Sequence, residues 1–183
     1  MSKLQSQVIA FHKLFGQDIA PSPSVPSKKV IDLRVRLIAE EAFEIFEALY
    51  GSYPEWEMCQ SLIANVLLTK EPRVDLAKLA DGFGDLDYVV EGARLAFGID
   101  GESVADAIHA ANVAKVGGKI SETGKRLKPL QWQLPDIEGV LQKQATGELP
   151  NVGQRLEVQA KLDEIEANLA AFNAAPCEAE ASK

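Results

Sequence analysis

The sequence predicts an all-α protein, and three observations support that class. Two long segments repeat apolar residues at alternating steps of three and four, which is the spacing of one helix face. No segment alternates apolar and polar residues as a half-buried strand does, and glycines and prolines separate the helical segments. The expected architecture is therefore a helical bundle. The two apolar stripes consist of Ile31, Val35, Ile38, Ala42, Ile45 and Leu49, and of Leu76, Leu79, Phe83, Leu86, Val90, Ala93 and Phe97.

The helices are expected in a simple order along the chain. A short helix over residues 4–15 ends before a Ser-rich linker that holds Pro21, Pro23 and Pro26. The first long helix begins near Ser27 and is closed by Gly51. Further helices are expected over residues 55–68, 76–97, 102–115, 135–146 and 154–172. Residues 119–135 are rich in cations and turn residues, so they are predicted to form a loop or short hairpin near the substrate.

Composition limits the classes of function. The 183 residues are 46% hydrophobic and 25% charged, as in ordinary globular proteins. A formal net charge of -8 argues against nucleic acid as a partner, since few cations are available to replace counterions. The longest apolar run is too short for a membrane span, and the N-terminus lacks a signal-peptide core. With only two cysteines, a disulfide framework is not expected, and we predict a cytoplasmic protein without membrane partners.

The first long helix carries an acidic patch. Glu40 and Glu44 fall on one line of the helix with Leu33 and Leu37, opposite the main apolar stripe, and Glu41 lies beside that line. For this helix alone, a solvated face explains the pattern equally well. The like charges repel each other at a cost of a few tenths of a kcal/mol per pair unless a cation relieves them. The leucines on the same line suggest that this face meets another surface.

The second long helix carries a matching patch. Asp81, Asp85 and Tyr88 fall on a face away from its apolar stripe, whereas Asp87 lies on a side that we expect to be solvated. For Asp81 alone, the alternative is an early-turn aspartate favoured by the helix dipole. Hard oxygen ligands from two helices suit Mg²⁺, with Mn²⁺ as the alternative, and no cluster of His or Cys competes for the role.

An ordered set of segments resembles the all-α nucleoside triphosphate pyrophosphohydrolases, which include MazG-like proteins, dimeric dUTPases and phosphoribosyl-ATP pyrophosphohydrolases. The resemblance covers about residues 7–137. Each segment alone is weak, but the combination is specific. The segments run from Val8 to Phe15, Arg36 to Glu44, Leu79 to Val90, Ala96 to Asp100, His109 to Lys115, and Gly124 to Pro129.

The resemblance implies a site and a quaternary arrangement. It predicts a four-helix catalytic core completed by oligomerisation as a homodimer or homotetramer, with residues 1–137 as the catalytic domain. Residues 138–183 would be a C-terminal helical extension with a frayed acidic end. The implied metal ligands are Glu40, Glu41, Glu44, Asp81 and Asp85. The implied substrate contacts are Phe11, Phe15, Arg36, Tyr88, Asn112, Lys115, Lys125 and Lys128.

One position departs from the family pattern. The common signature has a glutamate three residues before the aspartate, and this chain has Gly82 there. The ligand role would then pass to Asp81, one turn before Asp85. This departure is also the best support for a non-catalytic helical oligomerisation or regulatory protein. A di-iron carboxylate bundle requires Glu-x-x-His repeats, which the chain lacks.

The activity implied by the resemblance is Mg²⁺-dependent hydrolysis of a nucleoside triphosphate between its α- and β-phosphates, giving a monophosphate and pyrophosphate. Glu41 would orient or deprotonate the attacking water, and Lys115 would stabilise charge on the phosphates. Phosphoribosyl-ATP is the alternative substrate within the same enzyme class. The sequence leaves the base preference open.

Overall fold

The structure, a computed structural model, describes residues 2–174. Over that range the chain folds into seven helices, as the sequence predicts: α1 (Lys3–Phe15), α2 (Lys28–Tyr50), α3 (Pro54–Thr69), α4 (Leu76–Ala96), α5 (Gly101–Val113), α6 (Ile137–Thr146) and α7 (Val152–Ala174). The predicted frayed end lies, beyond Ala174, outside the described residues. None of the described helices is both long enough and apolar enough to cross a membrane.

Capping residues explain most of the helix boundaries. The Ser2 hydroxyl accepts a hydrogen bond from the Gln5 backbone N–H at 3.1 Å, and Ser27 does the same for Val30 at the start of α2. α1 ends at Gly16, whose φ of 63° is the left-handed conformation that glycine adopts without strain. α6 begins two residues later than predicted, because Asp136 caps it through Gly139.

α5 ends at Val113 rather than Lys115. Its last hydrogen bonds change from the α-helical to the tighter i to i+3 pattern, as in Lys115 N–H to Asn112 carbonyl at 3.1 Å. The chain then enters the loop that precedes Trp132. Within it, Ile120 and Arg126 form an isolated antiparallel bridge, which makes residues 120–126 a short hairpin. The hairpin expected from the sequence is therefore present.

The described chain divides into two compact units. The first contains the residues up to Asp87 together with Ile108–Pro135, and the second contains Tyr88–Ala107 together with the described residues from Asp136 onward. The division falls within α4 and within α5, so each of these helices contributes to both units. The predicted split at residue 137 stays a prediction.

In the first unit, α2 packs on α3. The rings of Phe43 and Phe46 lie 6.1 and 5.5 Å from the ring of Trp56. Lys28 donates a hydrogen bond from its Nζ to the Leu67 carbonyl at 2.7 Å, which joins the start of α2 to the end of α3. α2 is thereby held in place beside the loop that carries the lysines.

The main apolar stripes remain exposed in the single chain. Among the described hydrophobic residues only Phe15, Leu33 and Phe43 are buried. Ile38 of the α2 stripe is 42% exposed, and Phe83 of the α4 stripe is 46% exposed. The buried Leu33 belongs to the opposite line, so the inference that the acidic face of α2 meets another surface is correct. A chain of this size ordinarily buries about two thirds of its surface on folding. Exposed apolar stripes of this length are therefore unusual for a single folded chain.

The second unit is organised around a buried polar group. Asp100 and Gln144 are 6% and 4% exposed. The Gln144 amide accepts from the Asp100 backbone N–H at 3.0 Å and donates to the Asp100 carbonyl at 2.9 Å. Arg155 of α7 donates from its Nε to the Asp100 carboxylate at 2.7 Å. These bonds join the start of α5 to α6 and α7.

Candidate active site

The hairpin loop lies against the acidic face of α2. Lys125 forms an ion pair with Glu40, and Gly124 lies beside Leu33. Loss of hydration raises the pKa of the Glu41 carboxyl, and repulsion from Glu44 and Glu40 raises it further, while Lys125 and Lys115 partly offset the effect. The residue as a whole still keeps exposed surface. The α2 patch is therefore a site of excess negative charge next to cations.

Three lysines converge opposite these glutamates. Partial burial lowers the pKa of Lys115, and repulsion from Lys128 and Lys125 lowers it further. Lys115 donates a hydrogen bond to the Asn112 side-chain oxygen at 2.7 Å, so Asn112 fixes its position. Mutual repulsion among cations is relieved by a bound anion, which makes this cluster suited to phosphate.

Trp132 supports the lysines. Its indole N–H donates to the Ala111 carbonyl at 2.7 Å, and the Lys128 and Lys115 Nζ atoms lie 4.4 and 5.9 Å from the ring centroid. Both are cation–π distances. Trp132 thus packs against α5 and holds two of the candidate phosphate-binding residues in place.

A cleft of about 210 Å³ joins the charged groups to an aromatic region. Phe11 lines the cleft, while Phe15, 4.5 Å from it between ring centroids, is only 8% exposed. The Arg126 guanidinium covers Phe15 at 4.8 Å. Phe11 is therefore the accessible ring, and a direct base contact from Phe15 stays a prediction. The cleft is lined by Phe11, Gln17, Leu33, Arg34, Leu37, Glu41, Asn112, Lys115, Gly124, Lys125 and Arg126.

Arg36 faces a different cleft. This second space, of about 540 Å³, lies between α2, α3 and the hairpin, and Glu40 and Lys125 also line it. Arg36 is therefore close to the acidic patch but separate from the lining of the smaller cleft. Its contact with substrate stays a prediction.

The α4 residues are not gathered at either cleft. Asp81 and Asp85 are exposed, and neither of them lines the two clefts. Tyr88 is 83% exposed. Asp87 is exposed too, as expected. Across residues 2–174, no three His, Cys, Asp or Glu side chains are arranged to hold a metal ion. The predicted set of metal ligands therefore stays a prediction.

The donor chemistry of α2 nevertheless fits a hard divalent cation. Its donors are carboxylate oxygens, and their repulsion raises the pKa of Glu41, which a cation would relieve. Lys125 already places one positive charge on Glu40. Glu40, Glu41 and Glu44 are the residues that would hold the metal on this side.

Comparison with known proteins bears on this arrangement. The family model described as phosphoribosyl-ATP pyrophosphohydrolase matches residues 8–112, more than half of the chain. The chain belongs to the phosphoribosyl-ATP pyrophosphohydrolase family. It is accordingly a hydrolase that acts on phosphoric anhydrides, with pyrophosphohydrolase activity, and the predicted resemblance to this superfamily is confirmed.

A solved structure supports the fold. The chain is similar to a protein from Exiguobacterium sp. 255-15, described as a candidate NTP pyrophosphohydrolase, with a TM-score of 0.59 and 20% identity. The match covers 81% of this chain and 99% of that protein. At this identity the likeness concerns the fold alone. No curated protein matches the chain.

Three residues at the smaller cleft were not predicted from the sequence: Gln17, Arg34 and Arg126. Gln17 directly follows Gly16, the glycine that ends α1. Arg34 lies on α2 between Leu33, which belongs to the acidic line, and Val35, which belongs to the apolar stripe. Arg126 belongs to the cation-rich loop, but its place over Phe15 depends on the hairpin. The sequence did contain one indication for Gln17, namely that it is a polar residue directly after the glycine that ends a helix.

Proposed function

We propose that this protein is a Mg²⁺-dependent nucleoside triphosphate pyrophosphohydrolase, which cleaves between the α- and β-phosphates. The observation that carries the proposal is a cleft lined by Lys115, Lys125 and Glu41, with Lys128 close enough to Lys115 to lower the pKa of that lysine. Such a site offers cations for a polyphosphate and a carboxylate for water. Family membership supplies the reaction class.

The roles of the residues follow from their chemistry. Water attacks the α-phosphorus, the bond from that phosphorus to the bridging oxygen breaks, and pyrophosphate leaves. Glu41 accepts the proton from the water, because its carboxylate lines the cleft together with Lys115 and Lys125. Lys115 and Lys125 stabilise charge on the phosphate oxygens. A bound Mg²⁺ would supply charge neutralisation and a more acidic water.

Phosphoribosyl-ATP is the second candidate substrate. The description of the matching family names it, whereas the charged part of the cleft suits any triphosphate. The two candidates share the same bond cleavage, so they differ in what the aromatic end of the cleft must accept.

We further propose that a second copy of the chain completes the site, as a homodimer or homotetramer. The apolar stripes of α2 and α4 are exposed, and the carboxylates Asp81 and Asp85 lie beyond the two clefts. Pairing of these stripes between chains would bury them. Sedimentation equilibrium across a range of concentrations tests this assembly, and a monomer with full activity would contradict it.

A cytoplasmic location, with Cys59 as a free thiol, agrees with the proposal.

The deciding experiment is a substrate panel with and without Mg²⁺. The purified protein is incubated with nucleoside triphosphates and with phosphoribosyl-ATP, and pyrophosphate and monophosphate are measured together. Equal amounts of the two products, only with the metal, are expected. Release of inorganic phosphate would contradict α–β cleavage. No turnover of any substrate by a stable, assembled protein would favour the non-catalytic alternative.

A further inference from the structure

Gln17 and Arg34 form a polar edge at the aromatic end of the 210 Å³ cleft, beside Phe11. We propose that this edge selects the nucleobase and favours bases with a ring carbonyl opposite the sugar, namely 4-keto pyrimidines and 6-keto purines, over their amino counterparts. The proposal rests on the proposed function, in that the ligand is taken to be a nucleotide with its phosphates at the lysines.

The direction of each hydrogen bond at this edge is fixed. A guanidinium group only donates, so the atoms that Arg34 contacts must accept. These atoms are the His12 Nε2 at 3.3 Å and the Gln17 Oε1 at 3.5 Å. Since Nε2 accepts, the His12 proton is on Nδ1, which donates to the Asp18 carbonyl at 3.1 Å. Every member of this chain of hydrogen bonds therefore has one defined orientation.

The consequence is a donor-rich surface in the cleft. With its oxygen facing Arg34, Gln17 presents its amide nitrogen, which has two N–H groups and no partner among the described residues. Arg34 lines the same cleft and carries further N–H donors. A ligand atom that accepts hydrogen bonds satisfies this surface, whereas an amino group adds a donor to existing donors.

The neighbouring rings make a base the natural occupant. Phe11 offers an open aromatic face, and the Arg126 guanidinium lies over Phe15 at 4.8 Å, within the same cleft lining. The Arg126 Nε is buried and has no hydrogen-bond partner. Nucleobases stack on both kinds of planar group. Stacking holds the base without regard to its identity, so the polar edge must provide discrimination.

The edge makes a quantitative prediction. An amino group in place of the carbonyl leaves the N–H donors that face it without an acceptor, which weakens binding of the amino base in a partly enclosed site. We therefore expect kcat/KM to be about 10-fold higher for the keto base of each pair. The sharpest comparisons use nucleotides that differ only along the base edge in question. ITP is compared with ATP, and UTP with CTP, because each pair exchanges a carbonyl and its neighbouring ring N–H for an amino group and a ring nitrogen that accepts.

The experiment measures kcat/KM for these four nucleotides in the wild type and in Gln17→Glu. This variant replaces the two donors by carboxylate acceptors, so the preference for keto bases should vanish or reverse. Arg34→Met removes the group that orients Gln17 and should weaken the preference. Lys13→Gln, an exposed change on α1, is the matched control and should keep the wild-type ratios.

A binding measurement separates this inference from the proposed function. Affinities of α,β-methylene analogues of the same nucleotides are measured by calorimetry, a readout that requires no turnover. A keto preference in binding without hydrolysis would reject the proposed activity and keep the inference. Equal affinity for both members of each pair would overturn the inference even if all are hydrolysed. An equal loss for every nucleotide and for free pyrophosphate in Gln17→Glu would assign the edge to phosphate and also overturn it.

Discussion

Lys125 and Glu40, 85 positions apart in the chain, form an ion pair that fastens the hairpin loop to α2. Both side chains keep about two fifths of their surface exposed, at 38% and 41%. An ion pair this exposed contributes at most about 1 kcal/mol. The free energy lost when Lys125 leaves Glu40 and binds a phosphate is therefore small. Lys125 can bind either the Glu40 carboxylate or a phosphate.

Lys125→Met tests that exchange. Loss of a charged contact to phosphate should lower kcat/KM by about 10- to 100-fold, since hydrogen bonds to charged groups contribute about 1.5–3 kcal/mol. The free energy of unfolding should change by less than about 1 kcal/mol. Steady-state kinetics and urea denaturation measure the two effects. Lys119→Met, on an exposed side chain of the same loop, is the control, and an equal loss of activity there would count against a specific role for Lys125.

Glu41→Gln should separate activity from stability. Turnover should fall by at least about 100-fold, because the base for water is lost. The metal-free protein should melt at the same temperature or about 1 °C higher, since the change removes repulsion of a few tenths of a kcal/mol. Asp87→Asn on α4, an exposed position, should leave both unchanged. Wild-type turnover in Glu41→Gln, or a dead enzyme in Asp87→Asn, would refute the assignment of the site.

The Asp100–Arg155 pair predicts a pH dependence of stability. The hydrogen bond from Arg155 holds the pKa of Asp100 below its usual value, against the opposing effect of burial. The carboxylate therefore stabilises the folded state above pH 3.8, the ordinary value, and this contribution is lost as the pH falls through the lowered pKa. Arg155→Met should cost about 1–3 kcal/mol at pH 7, where Asp100 is left buried without its partner.

The difference between wild type and Arg155→Met should shrink as acid protonates Asp100. Urea denaturation at pH 7 and at pH values below 3.8 measures it. Lys161→Met on the exposed surface of α7 is the matched control and should be neutral throughout. A difference that is independent of pH would show that the pair contributes through packing rather than through charge.

Gly118→Ala should disturb the base of the hairpin. A Cβ atom at Gly118 would lie 1.9 Å from the Leu127 carbonyl oxygen, so the backbone must move, at a cost of about 1–3 kcal/mol. Gly84→Ala in α4 meets no atom within 4 Å and should stabilise the helix by about 0.5–1 kcal/mol. Thermal melting of both variants provides the comparison. Equal melting temperatures would contradict the close approach at Gly118.

Gly82→Glu tests the departure from the family signature. The position has open space around it, so the larger side chain can be accommodated. If the usual glutamate position holds metal, the variant should bind Mn²⁺ at least several-fold more tightly, as measured by electron paramagnetic resonance. Gly84→Glu, with the same change nearby on α4, should not. Equal affinities in the two variants would place the metal away from residue 82.

Helical periodicity predicted the elements well because it reports which residues share a face. The bounds of α2 and α4 agree with the sequence to within about a residue or two. Periodicity does not report what covers a face, however. Periodicity identified the α2 stripe through Ile38 and Ile45, yet the buried residues of α2 are Leu33 and Phe43, which lie outside that stripe.

Spacing along one helix indicated only the glutamates of α2, which lie within two turns of each other. Asn112, Lys115 and Lys125 were implied by the family resemblance, and the structure places them at one cleft with Glu41, while their roles stay predictions. Gln17 and Arg34 meet because α1 folds back on α2, a tertiary contact without a local signal. The two-unit division was hidden for the same reason, since it cuts through helices that look continuous in sequence.

The indole N–H of Trp132 donates a hydrogen bond to the Ala111 carbonyl, and the ammonium groups of Lys115 and Lys128 lie over the ring face. The ring therefore forms cation–π contacts with both ammonium groups and carries no charge of its own. Two cations can remain close together without a counterion, because the π-electrons offset part of their repulsion. The two ammonium groups can therefore stay close together beside the cleft whether or not an anion occupies it.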